Sequence, residues 1–277
     1  MSFNVKGQLE QFLAEDVGRG DITSSLLTKK TIQAKIISRE EATVAGAKFV
    51  KMIFELKGCR VKMLERDGAK IKPGQAIMTV SGNAREILTC ERTSLNLLAR
   101  MSGIATQTQE LIKKIPNKKT KLYATRKTAP GLRYFDKAAV EIGGGFKHRL
   151  RLDEMVMIKD NHIAAENSLL SLIRKAKRRY RKFEVEVEST EDATLAAREG
   201  AAIIMLDNFS PSQIKKTIQT LKEQKLRDRV VLEASGGIDS KNISKFGKTG
   251  VDIISVGSIT NSVRGIDMSL EISNPGD

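Results

Sequence analysis

The spacing of apolar and polar residues divides the chain into two parts with different periodicities. In the first third, a helical pattern covers about residues 6–15 and ends at a turn formed by residues 18–20. Strand-like runs follow at Gln33–Ser38, Arg60–Leu64 and Ala76–Val80, separated by turn signals. This part of the chain is therefore predicted to be a small mixed α/β domain.

A long amphipathic pattern joins this part to the rest of the chain. From Ala84 to about Ile115, residues recur at the 3.6-residue spacing of a helix, on one stripe that contains Arg92. Gly103 is expected to loosen the helix at its middle, and Pro116 ends it. We interpret this helix as the hinge between two halves of the molecule.

After Pro116 the pattern becomes a regular alternation of short apolar strands and helices. The predicted strands are Lys121–Thr125, Met155–Ile158, Phe183–Val187, Ile203–Leu206, Val230–Ala234 and Asp252–Val256. Such alternation predicts a parallel sheet with crossover helices, and units in one unbroken run favour a TIM-like α/β barrel. The predicted domains are residues 1–115 and 116–277, with the tail from about residue 262 expected to pack back on the first.

Polar residues follow each predicted barrel strand directly. They are Arg126-Lys127, Lys159-Asp160, Glu188, Asp207-Asn208, Ser235-Gly236-Gly237 and Gly257-Ser258. Barrel enzymes place their sites at the carboxyl ends of the strands, because the loops that follow converge there. One charged residue after a strand means little, but six such positions in succession predict an active site at this mouth.

The two glycine-containing positions have a more specific interpretation. The sequences SGG at residues 235–237 and VGS at residues 256–258 follow the last two strands and open short helices. Glycine lets a backbone approach a ligand closely, and barrels commonly bind a phosphate in these loops. Two ordinary turns between strand and helix are the alternative.

The segment FEVEVES is unusual, because a buried parallel strand should be almost continuously apolar. Its glutamates, Glu184, Glu186 and Glu188, share one face. A functional role is favoured for Glu188, which lies nearest the mouth, while functional and structural roles are weighed equally for Glu186. An edge strand with one wet face is the alternative.

The loop GGGFKHRLRLDE places His148 and Arg149 after three glycines. Arginine can clamp a carboxylate or a phosphate through two parallel hydrogen bonds. The sequence contains no GxSxG, HExxH or Walker motif, which argues against serine hydrolases, zinc hydrolases and P-loop enzymes. A site rich in Arg and Lys with a few carboxylates suits a polyanionic substrate whose oxygens are bridged by Mg²⁺.

The formal net charge of +15 over 277 residues raises the possibility of a nucleic-acid partner. Residues 174–182 carry the densest basic run, but the chain has no Trp and only three Tyr, so base-stacking aromatics are scarce. Cys59 and Cys90 lack metal or disulfide spacing. With no apolar run of membrane length and no secretory signal pattern, the sequence predicts a cytoplasmic protein.

Several motifs, in order, resemble those of the quinolinate phosphoribosyltransferase family. They are CERTSLNLLARMSGIAT, ATRKTAPGLR, KAAVEIGGGFKHR, MVMIKDNHI, VEVE, LDN, EASGGI and SVGSIT. The likeness runs from about residue 15 to residue 260. It implies an N-terminal α/β domain followed by an incomplete α/β barrel, and a homodimer in which each site borrows from its partner.

The resemblance also implies an activity, which is the conversion of quinolinate and phosphoribosyl pyrophosphate to nicotinate mononucleotide, pyrophosphate and CO₂ with Mg²⁺. The implied catalytic residues are Lys159, Glu188 and Asp207, of which Glu188 and Asp207 would also hold the metal. The implied substrate-binding residues are Arg92 (lent across the dimer), Thr125, Arg126, Lys127, His148, Arg149, Lys159, Glu188, Asp207, Ser235, Gly236, Gly237, Val256, Gly257 and Ser258.

Two alternatives stay open at the level of sequence. A related phosphoribosyltransferase acting on nicotinate or another ring base would share much of the pattern. A basic nucleic-acid-binding protein on a barrel scaffold would explain the charge, although the scarcity of aromatics and the polar residues after the strands favour an enzyme.

Overall fold

The computed structural model describes residues 3–273, which form two compact units. The first unit contains residues up to 108, residues 128–144 and residues from 262 onward, and the second contains residues 109–127 and 145–261. Each unit is therefore assembled from separated segments of the chain. The domain division after residue 115 stays a prediction.

The three strands predicted in the first third and the six predicted barrel strands are all present. The strands are β1 (Thr31–Ser38), β2 (Ala42–Thr43), β3 (Arg60–Met63), β4 (Lys70–Ile71), β5 (Ala76–Asn83), β6 (Lys121–Ala124), β7 (Val156–Ile158), β8 (Phe183–Val187), β9 (Ile203–Asp207), β10 (Val231–Ser235), β11 (Ile253–Val256) and β12 (Met268–Ser273). The helices are α1 (Val5–Val17), α2 (Ala47–Leu56), α3 (Ala84–Lys114), α4 (Arg133–Ile142), α5 (Asp160–Glu166), α6 (Leu169–Arg179), α7 (Thr190–Glu199), α8 (Pro211–Glu223), α9 (Ile243–Gly247) and α10 (Ser258–Asn261). Of these, β2, β4, β12 and α2 are additional to the predicted elements.

The first unit is built around a four-stranded antiparallel sheet in the order β12-β1-β5-β3. Strand β12, from the last part of the chain, pairs with β1 from Gln33 opposite Ser273 to Ser38 opposite Met268. Apolar side chains such as Ile36, Ile53 and Phe54 are completely removed from solvent. Burying each such side chain contributes roughly 1.5–3 kcal/mol.

Helix α3 continues without interruption through Gly103, so the expected loosening at this residue is absent. A Cβ added at Gly103 would lie 2.1 Å from the carbonyl oxygen of Arg264, which passes close to the helix. The glycine therefore serves a close backbone approach. One turn earlier, Arg100 forms a two-pronged ion pair with the buried carboxylate of Asp136, at 2.7 and 2.9 Å.

The second unit is a six-stranded parallel sheet in the order β6-β11-β10-β9-β8-β7. The strands are neighbours in chain order, except that β6 lies beside the last strand, β11. This order is that of an α/β barrel left open between its first and second strands. The prediction of an incomplete barrel preceded by a smaller α/β domain is confirmed.

Strand β8, which carries the unusual glutamates, lies inside the sheet between β7 and β9. An edge position with one wet face therefore does not explain its sequence. Val185 and its neighbours Ile204, Leu232 and Ile254 are fully buried on one face of the sheet. The residues that alternate with these, such as Glu184 and Glu186 of β8, lie on the opposite face of the sheet.

Among residues 3–273, no helix is both long enough and apolar enough to span a membrane.

Replacing Gly103 with Ala tests the close approach. In an ordinary helix interior this change stabilises by about 1 kcal/mol, because alanine has the higher helix propensity. Here the 2.1 Å contact with the Arg264 carbonyl should reverse the sign and lower the free energy of unfolding by about 1–3 kcal/mol. Urea denaturation measures the change. Glu110→Ala, at an exposed position of the same helix, is the control and should be neutral or mildly stabilising.

Candidate active site

A cavity of about 370 Å³ lies in the second unit. Its walls combine cationic, acidic and hydroxyl side chains with two methionines. The lining residues are Ala124, Thr125, Arg126, Lys127, His148, Arg149, Met157, Lys159, Asp160, Glu186, Met205, Asp207, Glu233, Ser235 and Ser255. Except for His148 and Arg149, which lie in the loop between α4 and β7, all of them come from the barrel strands or from the segments that directly follow them.

Alternation along the strands determines which residues reach the cavity. Met205 and Asp207 of β9 line it, as do Glu233 and Ser235 of β10. Successive side chains of a strand point to opposite faces, so every second residue of these strands is directed inward. The register pairs Glu233 with Met205 and Ser235 with Asp207, which sets these side chains in two layers.

Hydroxyl groups fix the backbone that follows β6. The Thr125 hydroxyl accepts a hydrogen bond from the Lys127 N–H at 3.1 Å, and the Thr260 hydroxyl donates to the Lys127 carbonyl at 2.8 Å. Arg126 and Lys127 are thereby held at the cavity wall.

Lys159 stands at the point where β7 gives way to α5. Its backbone N–H donates to Nδ1 of His162 at 3.2 Å, while the His162 ring itself is exposed. His162 thus shapes the start of α5, and it does not line the cavity. Lys159 and Asp160 do, with opposite charges at adjacent positions.

His148, which lines the cavity, lies close to two glutamates that are completely buried. Its Nε2 is 3.3 Å from an oxygen of Glu184 and 3.4 Å from an oxygen of Glu233. The other oxygen of Glu233 accepts a hydrogen bond from the Ser255 hydroxyl. Among the His, Cys, Asp and Glu side chains of residues 3–273, the ligand atoms of His148, Glu184 and Glu233 lie close enough together to hold a metal ion.

In this cluster the pKa values of His148 and Glu184 are both raised. Burial lowers the pKa of His148, but the hydrogen bonds and charges of Glu184 and Glu233 outweigh burial and raise that pKa to about 9. Burial raises the pKa of Glu184, and Glu233 raises it further, against the opposing effect of His148. The two groups are coupled, so the pKa of His148 and the pKa of Glu184 each depend on the charge of the other.

Arg149 follows His148 in the chain, and its side chain contacts residues at the start of β7. Its guanidinium donates to the Met155 carbonyl at 2.9 Å and contacts the Met157 sulfur at 3.2 Å. Burial lowers the pKa of Arg149 and so does the neighbouring Arg126. Because Arg126 and Arg149 lie close enough for their positive charges to repel, binding of an anionic ligand between them would be favourable.

Glu186 of β8 lines the same cavity. Burial raises its pKa to about 7, and the nearby Asp207 adds to the effect, while Lys159 opposes it. Such crowding of carboxylates favours the approach of a cation or of hydroxyl groups that donate hydrogen bonds. We refer to Arg126, Lys127 and Arg149 as the cationic wall of the cavity, and to Glu186 and Asp207 as its acidic wall.

The glycines after β10 differ in what they do. Gly236 has a φ of +91°, and a Cβ there would lie 2.2 Å from the Asn208 side chain, so this glycine is required by packing. Gly237 has a φ of +60°, but a Cβ there would meet no heavy atom within 4 Å. Its backbone is thus open to a ligand, as the phosphate interpretation of this loop requires.

The structure brings together eight of the site residues named from the sequence. Those lining the cavity are Thr125, Arg126, Lys127, His148, Arg149, Lys159, Asp207 and Ser235. Those outside its lining are Arg92, Glu188, Gly236, Gly237, Val256, Gly257 and Ser258. Arg92 is exposed on α3, and Glu188 is exposed just beyond the end of β8.

Several inward-facing residues within the strands are not among the site residues predicted from the sequence. Glu233 and Ser255 lie in short apolar strands, and Glu184 belongs to the alternating segment FEVEVES. Glu186, which lines the cavity, was ranked below Glu188, which does not. The available signal was a polar residue at every second position of a buried parallel strand.

Two family models match the chain. The N-terminal domain of quinolinate phosphoribosyl transferase matches residues 21–102, and the C-terminal domain matches residues 104–271. Together they match parts of both structural units and every lining residue of the cavity.

Relatives of known name are similar along almost their whole length. A probable carboxylating nicotinate-nucleotide pyrophosphorylase of Methanothermobacter thermautotrophicus is 43% identical, covering 95% of this chain and 97% of that protein. A protein of the same name from Bacillus subtilis is 38% identical, covering 97% and 93%. The solved nicotinate-nucleotide pyrophosphorylase of Francisella tularensis is 39% identical with a TM-score of 0.90, covering 97% of this chain and 96% of that one.

The raised pKa of Glu186 predicts how stability responds to pH. Because the folded state holds this proton up to about pH 7, its contribution to the free energy of unfolding is lost as pH rises from the unfolded pKa of about 4.3 through the folded one. Glu186→Gln should therefore be more stable than the wild type at pH 8 by about 1–2 kcal/mol, allowing for solvent screening, and similar to it at pH 4.

Denaturation by urea at both pH values measures this difference. Glu223→Gln, at an exposed position of α8, is the control and should track the wild type at both. If Glu186→Gln and the wild type have the same free energy of unfolding at pH 8, ionisation of the Glu186 carboxyl does not destabilise the folded state, and the prediction is wrong.

Proposed function

The chain belongs to the quinolinate phosphoribosyltransferase family, and we infer that it catalyses the carboxylating nicotinate-nucleotide pyrophosphorylase reaction. It joins quinolinate to phosphoribosyl pyrophosphate and releases nicotinate mononucleotide, pyrophosphate and CO₂, a step of de novo NAD synthesis. The observation that carries this conclusion is a cavity lined by both cationic and acidic side chains, in a chain matched by both family domains.

The two walls suit the two substrates. Quinolinate is a dicarboxylate, and we assign it to Arg126, Lys127 and Arg149, which present fixed positive charge. The ribose carries hydroxyl groups, which can donate hydrogen bonds to Glu186 and Asp207. The 5′-phosphate is assigned to the loops at Ser235, Gly236 and Gly237 and at Val256, Gly257 and Ser258, because Gly237 leaves its backbone accessible.

The chemistry of the first step follows from this division. The ring nitrogen of quinolinate attacks the anomeric carbon as the bond to pyrophosphate breaks, and positive charge develops on the sugar. Carboxylates at the acidic wall stabilise this charge by electrostatics. Lys159 is placed to offset the negative charge that accumulates on the departing pyrophosphate.

Loss of CO₂ completes the reaction. Once the ring nitrogen is bonded to ribose, it is positively charged and can accept the electrons released when the adjacent carboxylate leaves. A proton then replaces CO₂ on the ring. Two methionines, Met157 and Met205, contribute apolar surface to the cavity, and a less polar setting favours a step that turns a carboxylate into neutral CO₂.

Mg²⁺ is proposed as the cofactor. Asp160 and Asp207 offer carboxylate oxygens inside the cavity, and oxygen ligands are those that Mg²⁺ prefers. Asp207 keeps the metal-holding role implied by sequence, while Glu188 would need to reach inward from its exposed position. Bound together with phosphoribosyl pyrophosphate, Mg²⁺ would supply charge neutralisation of the leaving group.

A homodimer in the cytoplasm completes the proposal. Arg92 is exposed on α3 and is therefore available to reach the cavity of a second copy. Cys59 and Cys90 are both free and buried, which suits a reducing compartment.

The reaction assignment predicts the products from each candidate base. With Mg²⁺ and phosphoribosyl pyrophosphate, quinolinate should yield nicotinate mononucleotide and CO₂ in equal amounts. Nicotinate, which lacks one carboxylate for the cationic wall, should react far more slowly. Product masses and labelled CO₂ measure both. Rapid turnover of nicotinate with none of quinolinate would move the chain to the nicotinate-using enzymes, and binding to random DNA unaffected by phosphoribosyl pyrophosphate would favour the nucleic-acid alternative.

The borrowed Arg92 predicts recovery of activity in hybrids. Arg92→Ala and Lys159→Ala should each be nearly inactive. After subunit exchange, a mixed dimer would have one site with both residues intact, so up to about half of its sites recover. Lys159→Ala mixed with Asp207→Ala is the control, because both residues line the same cavity and no intact site can form. Absence of recovery despite exchange proven by mass would mean that Arg92 serves its own subunit.

A further inference from the structure

A second cavity, of about 220 Å³, lies between β7 and α6, in a part of the second unit to which no substrate of the proposed reaction is assigned. All of β7 (Val156–Ile158), which is the strand at one end of the sheet, contributes to its lining. Leu172 and Ala176 of α6 line the other side, so the surface inside the cavity is mostly apolar. We call this cavity the outer groove.

Cations and one aromatic ring border this apolar surface. Lys175 and Arg179 lie one turn apart on the same face of α6, and Tyr180, which also lines the groove, is 52% exposed. Lys175 pairs with Glu166, whereas the described residues offer the guanidinium of Arg179 no ion pair or hydrogen bond. Further exposed cations occupy the neighbouring positions Lys177, Arg178, Arg181 and Lys182. The groove therefore joins an apolar surface to an excess of positive charge.

The combination of a cavity, a ring and a cation separates this region from an ordinary basic helix surface. A solvated run of Lys and Arg needs neither a cavity beside it nor an aromatic residue within it. Aromatic side chains stack on the flat faces of bases, and a guanidinium binds phosphate through parallel hydrogen bonds. The volume is below the roughly 300–1,000 Å³ of pockets that enclose drug-sized ligands, so the groove suits one ring system with its anion at the rim.

We propose that the outer groove is a second binding site, which takes a free nucleoside monophosphate. The base packs between the Tyr180 ring and the apolar side chains of β7 and α6. The phosphate is bound by Arg179, and Lys175 divides its charge between the phosphate and Glu166. This site is distinct from the active-site cavity, and the inference does not rest on the proposed reaction.

The two histidines of the chain report on the two cavities separately. His162 lines the outer groove, and His148 lines the active-site cavity. In His162, Nδ1 already accepts the backbone N–H of Lys159, so the ring is fixed at the end of the groove while it stays exposed to a ligand. A ligand in the groove should therefore change the imidazole signals of His162, and a ligand in the cavity those of His148.

The first experiment titrates the protein with adenosine 5′-monophosphate and follows the imidazole signals by NMR at constant pH. The signals are assigned with His162→Gln. The nucleotide should shift the His162 signals until they saturate and leave those of His148 nearly unchanged. Adenosine lacks the phosphate and ribose 5-phosphate lacks the base, so each should bind at least about 10-fold more weakly than the nucleotide.

Variants at the rim test the two assigned contacts. Arg179→Ala should weaken nucleotide binding about 10-fold, because a hydrogen bond to a charged group is lost. Tyr180→Ala should weaken it about 5- to 100-fold through the loss of stacking, while Tyr180→Phe keeps the ring and should bind as the wild type does. Arg174→Ala is the matched control, because Arg174 is an exposed cation of the same helix that pairs with Glu199 and does not line the groove.

Three results would overturn the proposal. Shifts of the His148 signals without those of His162 would place the nucleotide in the active-site cavity. Equal affinity for the nucleotide and ribose 5-phosphate would show attraction of any anion to the basic helix, as would equal losses in Arg174→Ala and Arg179→Ala. None of these measurements uses turnover of quinolinate, so the second site and the proposed function can each fail while the other stands.

Discussion

Two fully buried glutamates, Glu184 and Glu233, impose the constraint around which the second unit is organised. They lie on the inward face of parallel strands, where a carboxylate must be compensated or protonated. His148 and the Ser255 hydroxyl provide that compensation. Because His148 belongs to the loop that enters the cavity, the requirement for charge balance inside the barrel also fixes a segment of the site.

The cavity is lined by side chains on this same inward face of the strands. Side chains at alternate positions of β8, β9 and β10 provide an acidic wall, and the segments after β6 and before β7 provide Arg126, Lys127 and Arg149. Opposite charges on the two walls suit a reaction between a dicarboxylate and a sugar that becomes cationic. In the opening between β6 and β7, the loop of His148 runs beside β6, where Phe146 forms a parallel bridge with Tyr123.

Most of the excess positive charge lies elsewhere. On α6, the basic residues from Arg174 onward are exposed, and Lys175 and Arg174 pair with Glu166 and Glu199. Exposed pairs of this kind contribute little to stability. The net charge of +15 thus reflects solvated helix surfaces more than the site, where the cations face comparable numbers of carboxylates.

Sequence alone determined the barrel strands and the polar residues after them, because periodicity and strand ends are local properties of the chain, and the resemblance of its motifs implied that the barrel is incomplete. Sequence also placed Arg126, Lys127, Lys159 and Asp207 at one mouth. Tertiary structure decided that Glu186 and not Glu188 lines the cavity, that Gly103 serves a backbone contact, and that His148 faces two glutamates from distant strands. Alternation along β8 shows that Glu184, Glu186 and Glu188 share a face, but how deep each lies, and which distant segments approach them, depends on the register between strands and on segments far apart in the chain.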